Sequence, residues 1–435
     1  MTKRRFVQVG VGGRGEMFSL AITGKYAASC ELVALCDVNE GRLKLRSQEI
    51  EGAVTYQVKT YPAEQFEKMI AEMKPDCVIV TCIDREHDNY ICRAMELGCD
   101  VITEKPMTID EQRCQRIVDT QHRTGKKCIV TFNYRYAPAR THVKDLLMSG
   151  VIGRILSLDF QYLLDTSHGA DYFRRWHRNK ANSGGLMVHK STHHFDVINW
   201  WLSSIPVSVY AEGRRAFYTP EQAKRYGLNN CGTRCSECVE VEKCPFKMKF
   251  ADHPFLAKLY QANEKYDGYF RDQCVFSPKI DIEDSMNLVV RYQNGVLMTY
   301  CLNAFTPWEG FRVAINGTKG RLEHSWEEAV ASKTGQVPGS GETITIFPHF
   351  EPHYSVEPWK GQGLHGGGDE RLLENIFNPA SIKEDKYMHA ADYRAGAYSI
   401  LTGVAANRSM ATGQPVRLDS LIKNVAMPDF PAMPE

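Results

Sequence analysis

A glycine-rich turn near the start of the chain constrains the fold more than any other feature. Gly10, Gly12 and Gly15 form the pattern G-x-G-x-x-G, directly after a short apolar run and before a helical segment. In this context Gly10 permits a tight turn, Gly12 lets the backbone approach a pyrophosphate, and Gly15 lets the helix pack closely on the strand. The phosphates would bind backbone N–H groups where the helix begins. The motif therefore predicts a dinucleotide site that also includes Gly13 and Arg14.

The acidic residue after the second apolar run indicates which dinucleotide binds. Asp37 follows the run at residues 32–36. A carboxylate at this place accepts hydrogen bonds from both ribose hydroxyls and repels a 2′-phosphate, so NAD is favoured over NADP. Arg42 is close in sequence and keeps NADP as an alternative. Thr81 and Glu104 lie at the ends of the fourth and fifth predicted strands, and we assign them to the same site.

Strands and helices alternate through the first part of the chain. Helical patterns over residues 62–73, 85–97 and 110–124 separate near-continuous apolar runs. This alternation predicts a doubly wound parallel sheet with helices on both faces. Later segments alternate or are β-rich, with hairpin turn signals, and predict a mostly antiparallel sheet backed by helices. We therefore expect an α/β fold with a nucleotide-binding domain at 1–132 and a substrate-binding and oligomerisation domain at 133–435.

Composition excludes several classes of protein. The 435 residues carry 53 basic and 52 acidic side chains, a net charge of +1, which gives no sign of a nucleic-acid or anionic-membrane partner. Apolar runs are too short for a transmembrane helix, and the basic start lacks the apolar core of a signal peptide. We expect a cytoplasmic protein. Its 14 cysteines are therefore interpreted as thiols or metal ligands rather than disulfides.

A lysine follows the fifth predicted strand in the sequence Glu104-Lys105-Pro106. With the glycine turn, the segment SGGLMVHKSTHHFD at 183–196 and the segment HGGGDERLLENI near Gly366, it resembles the glucose–fructose oxidoreductase / inositol dehydrogenase (Gfo/Idh/MocA) family. The resemblance implies a Rossmann domain, an α/β domain with a large open sheet, NAD(P), and redox chemistry at a carbinol carbon of a sugar or cyclitol. It also implies a homodimer or homotetramer. Lys105 would polarise the reacting hydroxyl and shuttle its proton, close to the nicotinamide.

The helical segment at 189–196 departs from the family pattern. His193 matches the catalytic histidine, which can take the hydroxyl proton as hydride leaves. The family usually has Asp four residues earlier, where this chain has His189, followed by Lys190. Either His193 acts with Lys105 alone, or His189 joins the proton relay; Lys190 would bind or polarise substrate. Two histidines at this spacing also permit a metal, if a third ligand comes from elsewhere.

The segment at 171–180 concentrates basic side chains around Trp176. The resemblance places this loop over the nicotinamide, with Trp176 and Arg178 against the cofactor. Arginines bind carboxylates, sulfonates and phosphates through paired hydrogen bonds, so this loop is a candidate site for an anionic substituent of the substrate. We assign Arg174, Arg175 and His177 to substrate. At the domain junction, we assign Asn133 to the cofactor and Tyr134 to the substrate.

Four cysteines are closely spaced in a polar insertion at about 225–250. They follow the pattern C-x3-C-x2-C-x5-C, and four thiolates at such spacing are typical of a structural zinc site. An iron–sulfur cluster is the alternative. The predicted ligands are Cys231, Cys235, Cys238 and Cys244.

Three functions remain in competition. The first is an NAD-dependent oxidoreductase acting on a carbinol carbon of a sugar, glycoside or cyclitol. The second is a glycoside hydrolase that recycles NAD: oxidation at carbon 3 is followed by elimination, addition of water and return of the hydride. An acidic or sulfonated sugar would suit the basic loop in that case. The third is a non-catalytic NAD sensor, against which the presence of Lys105 and His193 argues.

Overall fold

Two sheets organise the chain in a computed structural model that describes residues 3–330, 341–382 and 384–434. The first sheet has six parallel strands in the order β3-β2-β1-β4-β5-β6. They are β1 (Arg4–Val9), β2 (Cys30–Asp37), β3 (Lys59–Pro62), β4 (Cys77–Val80), β5 (Asp100–Thr103) and β6 (Cys128–Val130). The helices among them are α1 (Glu16–Thr23), α2 (Glu40–Glu51), α3 (Phe66–Met73), α4 (His87–Glu96) and α5 (Glu111–Thr124).

Local sequence signals set these elements. Every residue of β4 is buried, as expected for a central parallel strand covered on both faces. At α5, the side chain of Asp110 accepts a hydrogen bond from the N–H of Arg113, and Gly125 ends the helix with a positive φ of 66°. The predicted parallel sheet is therefore confirmed, with helix ends displaced by a few residues.

The second sheet has nine strands in the order β14-β13-β12-β11-β7-β10-β9-β8-β15. They are β7 (Ile155–Asp165), β8 (Pro206–Arg214), β9 (Ser285–Tyr292), β10 (Leu297–Thr306), β11 (Trp308–Gly317), β12 (Gly320–Val330), β13 (Glu342–Pro348), β14 (Tyr354–Val356) and β15 (Val416–Arg417). Only the β7–β10 pair is parallel among them. Alternate residues of β9 are buried and exposed, so one face of the sheet is covered and the other is open.

The remaining helices lie in the second half of the chain, and several of them cover the buried face of this sheet. They are α6 (Pro138–Met148), α7 (Thr166–Arg174), α8 (Lys180–Ser183), α9 (Leu186–His189), α10 (Thr192–Leu202), α11 (Pro220–Arg225), α12 (Pro254–Leu259), α13 (Glu264–Asp267), α14 (Gly368–Phe377) and α15 (Tyr393–Thr412). The Ser409 hydroxyl of α15 accepts a hydrogen bond from Ala211 N–H of β8 at 2.9 Å. At the end of β6, Val130 N–H donates to Ala391 O at 2.9 Å, which joins the two halves.

An insertion between β8 and β9, residues 215–284, contains α11–α13 and the clustered cysteines. It leaves the second sheet and extends to the carboxyl ends of the first-sheet strands, where Tyr260 contacts Gly13. No helix in the described residues has the length and apolarity that crossing a bilayer requires.

Candidate active site

A cavity of about 670 Å³ lies at the carboxyl ends of β1, β2, β4 and β5 and is closed by the second half of the chain. In an open parallel sheet this crevice is the usual place for a ligand. Most of the predicted site residues line it: Gly10, Gly12, Gly13, Arg14, Asp37, Arg42, Thr81, Glu104, Lys105, Arg175, Trp176, His177, His189, Lys190 and His193.

The glycine turn has the shape that a pyrophosphate requires. A Cβ on Gly10, whose φ is +88°, would lie 2.5 Å from Cys82 N, and one on Gly15 would lie 2.4 Å from the Gln8 amide. Glycine is therefore required at both places by packing. The face of Gly12 is open apart from one hydroxyl at 3.5 Å, and helical geometry starts at Gly13. This open face beside a helical start fits a dinucleotide phosphate.

At the far end of the cavity Asp37 and Arg42 contact each other. The Asp37 carboxylate accepts hydrogen bonds from Val11 N–H and Asn39 N–H, both at 2.8 Å. Arg42 donates to Asp37 at 3.2 Å and to Asp267 at 2.6 Å. Two carboxylates therefore neutralise the guanidinium that would otherwise attract a 2′-phosphate.

Lys105 follows β5 and lines the middle of the cavity. Its ammonium donates to the carbonyl of His189 at 3.4 Å. Burial lowers the pKa of Lys105 to about 8, and the positive charge of Lys190 acts in the same direction. The preceding residue, Glu104, is bound by Arg14 at 2.9 Å and so supports the cavity wall.

His189, the residue in place of the family aspartate, has a carboxylate partner from elsewhere in the chain. Its Nδ1 lies 2.5 Å from Oδ2 of Asp84, which follows β4. Burial, with repulsion from Lys105 and Arg175, holds the pKa of His189 well below its ordinary value, and burial raises that of Asp84. Asp84 was not among the residues predicted from the sequence, although its position after a strand end is a usable signal.

His193 lies in the cavity wall and stacks on Tyr134, with ring centroids 4.4 Å apart and an angle of 17° between planes. Burial and the nearby ammonium groups of Lys105 and Lys190 hold the pKa of its imidazole well below the ordinary value. The ring is therefore uncharged at neutral pH and able to accept a proton. Tyr134 supports His193 from behind and is absent from the cavity lining.

Lys190 is buried beside groups that the sequence analysis also missed. Its ammonium lies 3.9 Å from Glu309 and 4.9 Å from the centre of the Tyr162 ring. Burial opposes the charge, but Tyr134, Tyr172 and Glu309 together hold the pKa of Lys190 above its ordinary value. Lys190 therefore remains a cation within the wall of the cavity.

Only part of the basic loop lines this cavity. Arg175 lines the cavity, and its Nη1 lies 3.3 Å from Asp171, which also binds Arg271 at 2.7 Å. Arg174 instead donates to the carbonyl of Phe246 at 3.0 Å. Two residues assigned to the cofactor bond to protein groups outside the lining: Arg178 to Gln273 and Asn133 to Asp369. The nearby Arg135 bonds to Asp196.

The metal site predicted at the cysteine cluster is not supported by the described residues. No set of three or more His, Cys, Asp or Glu side chains within the described residues is arranged to hold a metal ion, so neither zinc nor an iron–sulfur cluster is supported. The four predicted ligands and Cys274 line a cavity of about 20 Å³. Other contacts stabilise this segment: Arg234 binds Glu264 at 2.6 Å and Asp272 at 2.8 Å. The predicted ligands were Cys231, Cys235, Cys238 and Cys244.

Comparisons with known proteins identify the family of this chain. The family model for the NAD-binding Rossmann fold of the Gfo/Idh/MocA oxidoreductases matches residues 4–132, and that for their C-terminal α/β domain matches residues 144–418. YteT of Bacillus subtilis, an oxidoreductase by name, is 34% identical over 97% of this chain and 99% of its own length. Glycosyl hydrolase family 109 protein 1 of Akkermansia muciniphila is 28% identical over 43% of this chain and 41% of its own length.

Solved structures show the same fold. The WlbA dehydrogenase of Bordetella pertussis, in complex with NADH and UDP-GlcNAcA, aligns with a TM-score of 0.63 at 17% identity, covering 96% of this chain and 99% of its own. An Agrobacterium radiobacter oxidoreductase, in complex with NAD+, L-tartaric acid and magnesium, aligns at 0.63 with 15% identity, covering 97% of this chain and 100% of its own. The two family models together span most of the chain. It belongs to the Gfo/Idh/MocA family of NAD-binding oxidoreductases.

Proposed function

We propose that the enzyme transfers a hydride between NAD and a carbinol carbon of a sugar, glycoside or cyclitol. The observation that carries this proposal is the pairing of Lys105, whose pKa burial lowers to about 8, with the uncharged His193 in one cavity beside the glycine turn. An uncharged imidazole that can accept a hydroxyl proton, beside a lysine that can polarise the hydroxyl, suits the oxidation of a carbinol carbon.

Each residue of the cavity has a distinct role in the proposed hydride transfer. A nicotinamide bound at the strand ends supplies the hydride acceptor. Lys105 binds the substrate hydroxyl and polarises it, and the imidazole of His193 accepts the hydroxyl proton. His189, bonded to Asp84 at 2.5 Å, receives protons from Lys105 or returns them to it. The stacking of Tyr134 on His193 fixes the ring plane and so its direction of approach.

The ribose end favours NAD over NADP. Arg42 is shared by Asp37 and Asp267, so a 2′-phosphate would meet two carboxylates and a guanidinium that is already paired. At the other end of the cavity, Arg175 and Lys190 supply positive charge within the wall. An anionic substituent, such as a uronic acid carboxylate, is the group that these cations would bind.

The test is NADH formation by purified protein with a panel of sugars, uronates, glycosides and cyclitols. NADH absorbance that appears with wild type and is lost in Lys105→Met supports the proposal. A Lys105→Met variant as active as wild type would contradict the proposal.

A glycosidase that recycles NAD is the second candidate, because the Asp84–His189 pair adds a base that elimination needs. Cleavage of an aryl glycoside with only trace NAD, and solvent deuterium at carbon 2 of the product, would favour this function over net oxidation. No cleavage across the panel would exclude it.

We also propose the division at residue 132 into nucleotide-binding and substrate-binding domains, and a homodimer or homotetramer in the cytoplasm. The open face of the second sheet is the natural contact surface between copies, since alternate residues of β9 remain exposed there.

A further inference from the structure

We propose that residues 254–274 form a strap that is part of the dinucleotide site and slows release of the cofactor, with the Tyr260 hydroxyl binding the pyrophosphate. The strap comprises α12, α13 and the loop after them. It belongs to the insertion that interrupts the second sheet, yet it contacts the first sheet at both ends of the nucleotide cavity. This inference rests on the proposed binding of NAD.

The first contact is on the glycine turn. Gly13 N–H donates to the Tyr260 hydroxyl at 3.0 Å. The same hydroxyl is the nearest atom to a Cβ built on Gly12, at 3.5 Å, and on Gly13, at 3.4 Å. A phenol hydroxyl can also donate a hydrogen bond, and the group expected at these amides is a phosphate. Tyr260 is therefore placed to donate to the pyrophosphate.

The second contact is at the ribose end. Asp267 pairs with Arg42 at 2.6 Å, and both side chains are at most 15% exposed. Asn39 donates its side-chain N–H to the carbonyl of Asn263 at 3.0 Å. A Cβ on Gly41 would lie 2.0 Å from the Asn263 amide oxygen, so the strap packs directly on the start of α2.

The cavity continues between the strap and the strand ends. Tyr260, Asp267, Gly268 and Tyr269 line it together with the glycine turn and Asp37. A dinucleotide extended along the strand ends would therefore lie under the strap. Its release requires the strap to lift, which breaks the contacts with Arg42 and Asn39.

The other side of the strap is attached to the second half of the chain. Arg234 binds Glu264 at 2.6 Å and Asp272 at 2.8 Å, and its guanidinium lies 4.1 Å from the centre of the Phe270 ring. Arg271 binds Asp171 at 2.7 Å, next to the Arg175 side of the cavity. These ties oppose lifting of the strap and connect it to the substrate end of the site.

The test measures NADH release rather than activity. Protein loaded with NADH is mixed with excess NAD+, and the fall of NADH fluorescence gives the dissociation rate. Because a hydrogen bond to a charged group contributes roughly 1.5–3 kcal/mol, Tyr260→Phe is expected to release NADH about tenfold faster or more. Tyr266→Phe is the matched control, since this tyrosine is in the same strap and 42% exposed; its rate should equal that of wild type.

Three outcomes would overturn the proposal. Equal rates in wild type, Tyr260→Phe and Tyr266→Phe would show that the hydroxyl does not hold the cofactor. Faster NADH association with unchanged release in Tyr260→Phe would show that the Tyr260 hydroxyl competes with the phosphate for the glycine-turn amides. Faster release in both variants would show general loosening of the strap. Failure of NADH to bind even to wild type would instead contradict the proposed function.

Discussion

The Nδ1 of His189 and the Oδ2 of Asp84 lie 2.5 Å apart, across a separation of 105 residues in the chain. In the tautomer that carries its proton on Nδ1 and donates it to Asp84, His189 keeps Nε2 as a proton acceptor. The pair thus places a carboxyl group beside His189, through a residue that follows β4.

The Asp84→Asn substitution should lower kcat about 100-fold, within the range for loss of a positioned acid–base group. An amide at position 84 can still bond to the His189 imidazole but stabilises a positive charge on it poorly. The proton transfer should therefore suffer, whereas NADH binding should change little. Steady-state kinetics and fluorescence titration check this. Asp76→Asn is the matched control, because Asp76 precedes the same strand at its opposite end and bonds to Arg5 N–H. An unchanged kcat in Asp84→Asn would contradict the role of the pair.

Lys105 should give the reaction its pH dependence. Burial lowers its pKa to about 8, so the free amine dominates above that pH and the ammonium below it. Oxidation releases the hydroxyl proton, and His193 can pass it on only to the neutral amine of Lys105, so kcat/KM for NAD reduction should rise through about pH 8 and then level. The reverse reaction should fall over the same range. Lys190→Gln removes a repelling charge and should move both profiles to higher pH; profiles that stay in place would contradict this coupling.

The parts of the site that sequence predicted are those formed by local segments. The glycine turn, Asp37 and Lys105 each follow a strand of the first sheet, and parallel strands bring their carboxyl ends together. Asp84 has the same position but no motif to mark it. Tyr260 was not predictable in this way, because it meets Gly13 across 247 residues through an insertion with no periodic pattern.

The cysteine cluster shows what spacing in the sequence does not predict. Close spacing predicted a metal knuckle, but the structure adds Cys274 from a distant segment and holds the region through the ion pairs of Arg234. Spacing reports which side chains are near in sequence, whereas ligand geometry depends on backbone directions that only the fold supplies. The basic loop follows the same rule, because Arg175 lines the nucleotide cavity and Arg174 bonds to Phe246 outside its lining.

Arg42 should decide between NAD and NADP. In wild type the guanidinium is neutralised by Asp37 and Asp267, so NADPH is expected to bind about 100-fold more weakly than NADH, a difference typical of a few kcal/mol of like-charge repulsion. Replacing both aspartates by Asn frees Arg42 to bind a phosphate and should improve NADPH binding at least about tenfold. Adding Arg42→Ala should cancel the gain; fluorescence titrations that show a gain without Arg42 would contradict the mechanism.

Asp196 should matter for stability rather than chemistry. Its carboxylate receives two hydrogen bonds from Arg135, both at 2.6 Å, and each side chain is 1% exposed. Removing one partner leaves a buried charge unpaired, so Asp196→Ala should lower the free energy of unfolding by about 3–5 kcal/mol in urea denaturation. The double variant Arg135→Met with Asp196→Leu should recover most of this loss. A double variant as unstable as the single one would show that the pair itself is required.

Arg175 should select for an anionic substrate. Its Nε is buried and finds no hydrogen-bond partner among the described residues, and its nearest carboxylate, Asp171, is already bound by Arg271. A uronate in the cavity would satisfy this guanidinium, and a charge-assisted bond of roughly 1.5–3 kcal/mol corresponds to about a 10- to 100-fold effect. Arg175→Gln should therefore lower kcat/KM by that factor for uronates and leave kcat/KM for neutral sugars within about threefold of wild type.

Arg174→Gln is the matched control, because Arg174 donates to Phe246 O outside the cavity lining and should not discriminate between the two substrates. Equal losses for uronates and neutral sugars in Arg175→Gln would mean that Arg175 supports the cavity wall without reading the charge of the substrate.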